Sequence, residues 1–562
     1  MKHLFNKTLN RAFLAVVTTL CLMVTSCGNN KNNSTDNNQS SSNPPSSSSG
    51  PSYSIKRPDY TPEYNNYELS GSPSGVNMTY YSDIYSRGFA WLTDTTATET
   101  ELYLVQSDQG ADADFSVAEY VEGTAIEITY STSGKVSAKN NEFPSKTGSS
   151  NSSELVCLNH RVHVENLEKG KAYSYKIGSG NVENGYTYGA FIVENDEPKN
   201  ITAIELSDAQ TLDPSKLNVW RNTFANACET AGVALDMVLY NGDQFDQNMT
   251  ALSGQSKKPI RSLRYAKALD VIQDYKASVP YMTSSGNHEP SSPYSHYIFN
   301  EVDYGGYDYS GGYYSYDYGF AHFVVLNTND VSTEQINWLK EDLDTASEAK
   351  WKVVMTHISP YTTGDHSNKT QDIVEKLTPV FSAKHVDLVL EAHDHTYSKT
   401  KAYRWDNEKG YTQTSGDNTV VNLEPETEII EDREYDKNPN GTYYVITGAA
   451  GHRCGEAEED GIWAEVVKDG DTYKGLDPNN TFLNNKYKTE LGTLKYSNGY
   501  TPYTFGSYTS NQQYNKGDLA TGNVNAQMFG VLNMTENTLS YDVYTVNDYT
   551  VRLFDSLDVL KN

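Results

Sequence analysis

The feature that most constrains this fold is a series of short apolar runs, each followed at once by a polar segment carrying Asp, Asn or His. The runs lie at 202–206, 237–240, 280–283, 321–326, 352–356 and 387–390. Helical stretches at 214–231, about 262–278 and 333–346 separate them. Such alternation predicts a layered α/β domain, with 441–446 completing the series and 529–534 and 539–544 returning as strands near the end. In open α/β sheets the carboxyl ends of the strands gather at one edge, where ligands bind. Side chains far apart in sequence are thereby brought to one place.

The chain of 562 residues is too long for one core. Upstream of the alternating region, from 53 to 197, the signals are those of an all-β sandwich. Alternating runs at 88–93, 101–105 and 125–130 are separated by Ser, Thr, Gly and Asp turns. A strand pattern at 162–167 leads to Gly170 and Tyr173, and the spacing Leu167-x-x-Gly170-x-x-Tyr173 resembles the tyrosine corner of fibronectin type III sandwiches. His160 and His163 fall on these strands without a partner at ligand spacing, so they read as ordinary strand residues. The expectation is therefore a multidomain chain: a β-sandwich at 53–197, then an α/β domain at 198–562 in which sheets are flanked by helices. Two stretches, 406–440 and 452–523, read as insertions in it. The Tyr-rich segment 304–318 reads as a β-hairpin, with a ring-stacking surface as the functional alternative.

The first 52 residues speak to location. Lys2, Lys7 and Arg11 precede an apolar stretch at 12–24, too short to span a bilayer, which reads as a signal peptide. Val24-Thr25-Ser26-Cys27 resembles a bacterial lipobox, in which Cys27 would be lipidated and become the mature N-terminus. The residues at 28–52 are almost wholly Asn, Ser, Gly, Pro and Lys, a composition suited to a flexible tether. The expectation is an exported protein held on a bacterial membrane by its lipid. Cys157, Cys228 and Cys454 remain beyond the signal, an odd number that allows at most one disulfide. The net charge of −29 argues against nucleic-acid binding and leaves the oligomeric state open. It also repels a phosphate dianion unless bound cations reverse the sign locally.

Five polar segments carry the chemistry. They are Ser207-Asp208-Ala209-Gln210, Asn241-Gly242-Asp243-Gln244-Phe245-Asp246, Ser285-Gly286-Asn287-His288-Glu289, Thr356-His357, and Glu391-Ala392-His393-Asp394-His395. Carboxylate, amide oxygen and imidazole in mixed array suit Mn, Fe or Zn better than Ca or Mg. Asp243, with two oxygens, can bridge two cations. His322, on an apolar strand, reads as a core histidine rather than a ligand.

In this order the segments resemble the calcineurin-like metallophosphoesterase superfamily. Gly312–Gly319 with His322–Thr328, Gln335–Leu339 and Gly441–Gly448, together with a fibronectin-like domain ahead, resemble its purple acid phosphatase-like branch. The resemblance implies one divalent metal (Mn, Zn or Fe) held by Asp208, Asp243 and His395, and a second held by Asp243, Asn287, His357 and His393. It implies hydrolysis of a phosphate ester, a monoester first, through attack of a hydroxide held by the two metals. His288 would contact the phosphate or protonate the leaving oxygen, Asp246 would pair with His288, and His366 resembles a substrate-contacting residue.

Two positions depart from the pattern. The purple enzymes carry Tyr three residues after the bridging Asp, where this chain has Asp246, so no purple chromophore is expected. The superfamily places His two residues after the first Asp, where this chain has Gln210, a possible metal or water ligand through its amide oxygen. Ala392 replaces Gly before His393, a change that adds one methyl group. Rival readings are a phosphodiesterase on the same site, or a non-catalytic surface-binding lipoprotein on a degenerate phosphatase scaffold.

Overall fold

A computed structural model describes residues 55–58, 60–81, 83–131, 136–138, 154–194, 198–211, 214–232, 235–246, 261–289, 306–308, 311–361, 371–395, 397–400, 402–405, 420–422, 425–451, 465–469, 472–474, 504–508, 527–547 and 550–562. Cys27 with the stretches read as signal and tether, Cys454 and His366 lie outside the described residues.

The first strands build two antiparallel sheets. One runs in the order Ser74–Thr79, Arg87–Thr93, Glu154–Val164, Thr124–Ser131, Val136–Ala138; the other in the order Glu119–Glu122, Glu101–Gln106, Ala172–Gly178, Tyr186–Ile192. Their inner faces share a core, with the Phe89 ring 4.9 Å from Tyr175 and 6.4 Å from Phe191. The Tyr173 hydroxyl accepts the Glu168 N–H at 3.1 Å, a bond back to the chain just after Leu167. The strand read at 162–167 begins earlier and stops at Val164, because Asn166 takes a left-handed φ of 58° that an extended strand cannot hold. His160 is a core residue stacked on Trp91, and the hydroxyls of Thr93 and Thr100 occupy its two ring nitrogens at 2.8 Å.

The remainder is organised around two larger sheets packed face to face. In the first, Tyr281–Thr283, Met237–Tyr240 and Ile201–Leu206 run parallel, and Gln527–Met534, Thr538–Asn547 and Thr550–Leu560 continue it antiparallel. In the second, Ala321–Leu326, Trp351–Ile358, Leu388–Ala392 and Tyr443–Ile446 run parallel. The period of two along each strand decides which side chain meets which layer. Ala203, Met237, Leu239 and Met282 face Phe323, Val325, Met355 and Leu390 between the sheets. Ile204, Leu206, Val238 and Tyr240 point the other way, under Leu217, Trp220 and Phe224 of the helix Pro214–Ala231. Val324, Leu326, Val354 and Val389 lie under Leu339 and Leu343 of Thr333–Thr345 and Leu377 and Phe381 of Gln371–Ala383. Both faces of each sheet are covered, which explains the nearly continuous apolar runs.

Several details refine the sequence expectation. The helix read at 262–278 divides into Arg261–Asp270 and Gln273–Lys276, where the Tyr60 hydroxyl takes the Asp270 carbonyl and ends the first helical ladder. The helix Gln371–Ala383 holds Pro379 in its interior, a residue that ordinarily punctuates a helical pattern and so hides one. The stretches read as insertions contribute outer strands to both sheets. Arg433–Lys437 pairs parallel with Thr550–Leu560, anchored by Arg433 on Asp542 and Asp558, and Thr504–Tyr508 pairs with Tyr397–Thr400. The Tyr-rich segment forms the hairpin Gly306–Asp308 with Gly311–Tyr318. Tyr313, Tyr314, Tyr316 and Tyr318 are buried, and Tyr80 packs on the last two at 5.9 and 5.6 Å, so these four rings belong to the core. Cys157 and Cys228 are both free and buried. Among the described residues no helix is long and apolar enough to cross a membrane.

Candidate metal centre

All five polar segments lie at the carboxyl ends of parallel strands. Asp208, Asp243 and Asn287 follow three adjacent strands of the first sheet, and His357 and His393 end two adjacent strands of the second. Because the sheets face one another, the two edges converge. Turning each chain sharply at this edge requires unusual backbone: Asp208, Gln210, Asp243 and His393 all have positive φ, between 40° and 73°. Strained non-glycine residues persist where the surrounding structure fixes them, and they cluster at functional sites. Gly242, at φ 85°, is required for space as well, since a Cβ there would meet Gly286 Cα at 2.7 Å and His357 Nδ1 at 2.6 Å.

Asp243, His357 and His393 place their ligand atoms within 4.8 Å of one another. Asp243 Oδ2 lies 3.4 Å from His357 Nε2 and 3.8 Å from His288 Nε2. The Asn287 side-chain oxygen sits 3.0 Å from the same His357 nitrogen, while His357 Nδ1 faces the Asn241 carbonyl at 2.7 Å. On the other side, Asp208 Oδ1 is 3.4 Å from His395 Nε2, and Asp208 Oδ2 accepts the His393 N–H. Every metal-binding position read from the sequence is therefore brought to this one edge.

The electrostatics are those of anions gathered for a cation. Burial alone would raise both Asp carboxyls, but His395 holds Asp208, and His357 and His288 hold Asp243, below the ordinary carboxylate range. Burial would depress His357, yet Asp243 and then Asp208 push it up to about 10. Asp208 Oδ1 is buried and has no hydrogen-bond partner. A buried carboxylate oxygen left in this way is costly, and a metal ion would satisfy it. The donor set of carboxylate, amide oxygen and imidazole fits a divalent transition metal.

The remaining expectations are placed as follows. Gln210 directs its amide nitrogen to Asp243 Oδ2 at 3.1 Å, the amide oxygen lying on the other branch of the same group. His288 Nδ1 and Asp246 Oδ1 are 3.9 Å apart, near enough for an ion pair and beyond direct hydrogen-bond reach. His322 is enclosed by Asp317 and Asp342 at 2.6 and 2.8 Å, a core histidine as read.

One residue within the segments has a role that its pattern did not disclose. Glu289 accepts the N–H groups of Asp243, Gln244 and Gly286 at 2.7–2.9 Å, tying the Asp243 loop to the Asn287 loop. Burial first, and the Asp243 charge next, push its carboxyl up to about 8. Asn329 adds a further tie by donating to the carbonyls of Ser285 and Gly286. Neither role has a sequence signature beyond proximity to the motif.

Comparison with known proteins agrees with this geometry. The family model described as calcineurin-like phosphoesterase matches residues 206–397, a span containing all five segments. Acid phosphatase type 7 of Mus musculus is 26% identical over 318 residues, covering 52% of this chain and 64% of that protein. Purple acid phosphatase 18 of Arabidopsis thaliana is 28% identical over 146 residues, 24% of this chain and 33% of that one. The chain thus spans less than two thirds of the length of these relatives. Among solved structures, purple acid phosphatase PPD1 from yellow lupin seeds shares the fold with a TM-score of 0.54 at 14% identity, covering 88% of this chain and 75% of the lupin chain.

Proposed function

We propose that this chain, matched by the calcineurin-like phosphoesterase family model over residues 206–397 and similar to acid phosphatases beyond it, belongs to the purple acid phosphatase-like branch and hydrolyses phosphate esters, phosphomonoesters first, at a two-metal centre. One observation carries the reading: Asp208, Asp243, Asn287, His357, His393 and His395 converge at one edge of two facing sheets, around a buried Asp208 oxygen that makes no hydrogen bond and faces His395 Nε2 at 3.4 Å. Asp208, Asp243 and His395 would hold one divalent ion, and Asp243, Asn287, His357 and His393 the other. Two such ions lower the pKa of a water and neutralise phosphoryl oxygens as charge redistributes.

The protein's own groups do the rest. His357 is oriented by the Asn241 carbonyl, so that Nε2 faces Asp243 and Asn287. His288, beside Asn287 and 3.8 Å from the bridging carboxylate, is placed to meet a phosphoryl oxygen and pass a proton to the leaving group. Asp246 stands behind it, with Oδ1 3.9 Å from the other ring nitrogen. The acid phosphatase relatives support a monoester substrate, and a diester on the same site is the nearest alternative.

The N-terminal sheets, with the Tyr173 back-bond, fit a fibronectin type III-like module ahead of the catalytic domain. The lipobox at Cys27 and the tether at 28–52 support export and lipid anchoring to a bacterial membrane, with the catalytic domain outside the cytoplasm. Gln210, standing where the superfamily has a histidine, motivates the second reading, a non-catalytic binding lipoprotein on the same scaffold. Hydrolysis of p-nitrophenyl phosphate and its bis-ester with added Mn(II) or Zn(II), beside a His393→Ala control, tests the proposal. Activity on the monoester that the control lacks supports it. Inactivity of both proteins favours the binding reading, and equal activity in both discredits the site.

A further inference from the structure

One residue touches every segment of this centre while contributing no ligand to it. Asn241 is fully buried between the strand Met237–Tyr240 and the Gly242-Asp243 turn. Its backbone N–H donates to the Leu206 carbonyl at 2.8 Å, at the root of the Asp208 segment. Its backbone carbonyl accepts from His357 Nδ1 at 2.7 Å. Its side-chain oxygen accepts the Ser284 hydroxyl at 2.8 Å, at the root of the Asn287 segment. Its side-chain nitrogen spends both hydrogens across the sandwich, on the carbonyls of Thr356 at 3.2 Å and Leu390 at 3.0 Å. The last two precede His357 and the His393 segment, on the opposite sheet.

We infer that Asn241 is the positioning residue that sets the spacing between the two sheet edges, and so between the two halves of the metal centre. The inference rests on the two-metal reading above. Within each sheet the ladder fixes register, and between the sheets the contacts at Ala203, Leu239, Met355 and Leu390 are apolar and non-directional. Polar ties such as Tyr314 and Asn329 on the Asn287 side, or the Ala450 N–H on the Ser207 carbonyl, each reach one segment. Apolar packing alone leaves sub-ångström freedom, whereas a ligand set shared by two sheets needs both edges held. A primary amide is the one side chain of this size with two donors and an acceptor in a rigid plane. Asp in its place would set oxygens against two carbonyls, and Leu, of like volume, would leave both carbonyls and the Ser284 hydroxyl without this partner.

The test uses the full chain, stripped of metal, with Asn241→Leu and, as a milder variant, Ser284→Ala. Hydrogen exchange read by mass spectrometry should rise at 284–289, 356–358 and 390–395 in Asn241→Leu, and stay unchanged in the helix 333–345. Mn(II) affinity should fall by about tenfold or more. At saturating Mn(II), kcat for p-nitrophenyl phosphate should fall while KM stays within about threefold. Ser284→Ala should loosen 284–289 alone. Asn241→Leu with unchanged exchange in the remote segments and unchanged Mn(II) affinity overturns the inference. If that variant does not fold, unaltered exchange at 284–289 in Ser284→Ala overturns it. Wild-type protein that takes up no Mn(II) would sink the two-metal reading, while the exchange pattern still decides whether Asn241 couples the segments.

Discussion

The Asn287 side-chain oxygen and His357 Nε2 stand 3.0 Å apart, although the other ring nitrogen of His357 already faces the Asn241 carbonyl. With Nδ1–H committed to that carbonyl, a neutral His357 would set a lone pair against the amide oxygen. Two acceptors are held this close by something positive between them, a proton on Nε2 or a metal ion that both ligate. The charge of Asp243, 3.4 Å from the same nitrogen, adds to the demand. Metal and proton compete for this place. Mn(II) binding should therefore release protons and raise the melting temperature, and a chelator should reverse the rise. Calorimetric titration in two buffers of different ionisation heat counts the protons, and zero release would contradict the assignment of His357.

His288 and Asp246 are expected to act on rate. Replacing His288 with Asn should lower kcat for p-nitrophenyl phosphate by about 10²–10⁴-fold, with metal content unchanged. Asp246→Asn, acting across 3.9 Å, should lower kcat by less, about tenfold, with KM and metal content unchanged. An unchanged kcat in Asp246→Asn would leave Asp246 without the role given to it.

A pH dependence of stability follows from His322, far from the metal edge in sequence and bonded to Asp317 and Asp342. Burial would depress this imidazole, but the two carboxylates outweigh it and hold its pKa above the ordinary value. A raised pKa means that the folded state binds the proton more tightly than the unfolded one. The contribution is fully present below the unfolded value of about 6.5 and is lost as pH rises through the folded value. His322→Gln should thus be destabilised by about 2 kcal/mol in mild acid, Asp317 being partly exposed, and by less in alkali. Denaturant unfolding at several pH values reads this, and a deficit growing with pH would refute the sign.

Colour gives a separate check. The phenolate responsible for the violet band of the purple enzymes has no counterpart at Asp246, so protein loaded with ferric and ferrous iron should lack that band. Its appearance in a visible spectrum would mean that another tyrosine reaches the metals.

Much of this site was legible in the sequence because strand-end chemistry depends on local order. An apolar run ends, a carboxylate or imidazole follows, and α/β packing brings such ends to one edge. The helix Pro214–Ala231 has the boundaries its apolar spacing implied. What lay hidden depended on contacts between distant segments. Asn241 looks like an ordinary turn residue until Thr356 and Leu390 arrive from the other sheet. Glu289 looks like one more motif carboxylate until its oxygens are found on three backbone N–H groups. Arg433 sits in a stretch that reads as an insertion, and only its clasp on Asp542 and Asp558 ties it to the sheet. Periodicity reports which face is buried and leaves open which strand lies opposite.

The central claim is that two divalent ions share Asp243, and metal stoichiometry addresses it most directly. Protein purified without chelator, or reloaded with Mn(II) or Zn(II), should carry about two ions per chain, and Asp243→Asn should lose most of both while remaining folded. One ion or none in the wild type, or two retained in Asp243→Asn, would contradict the account.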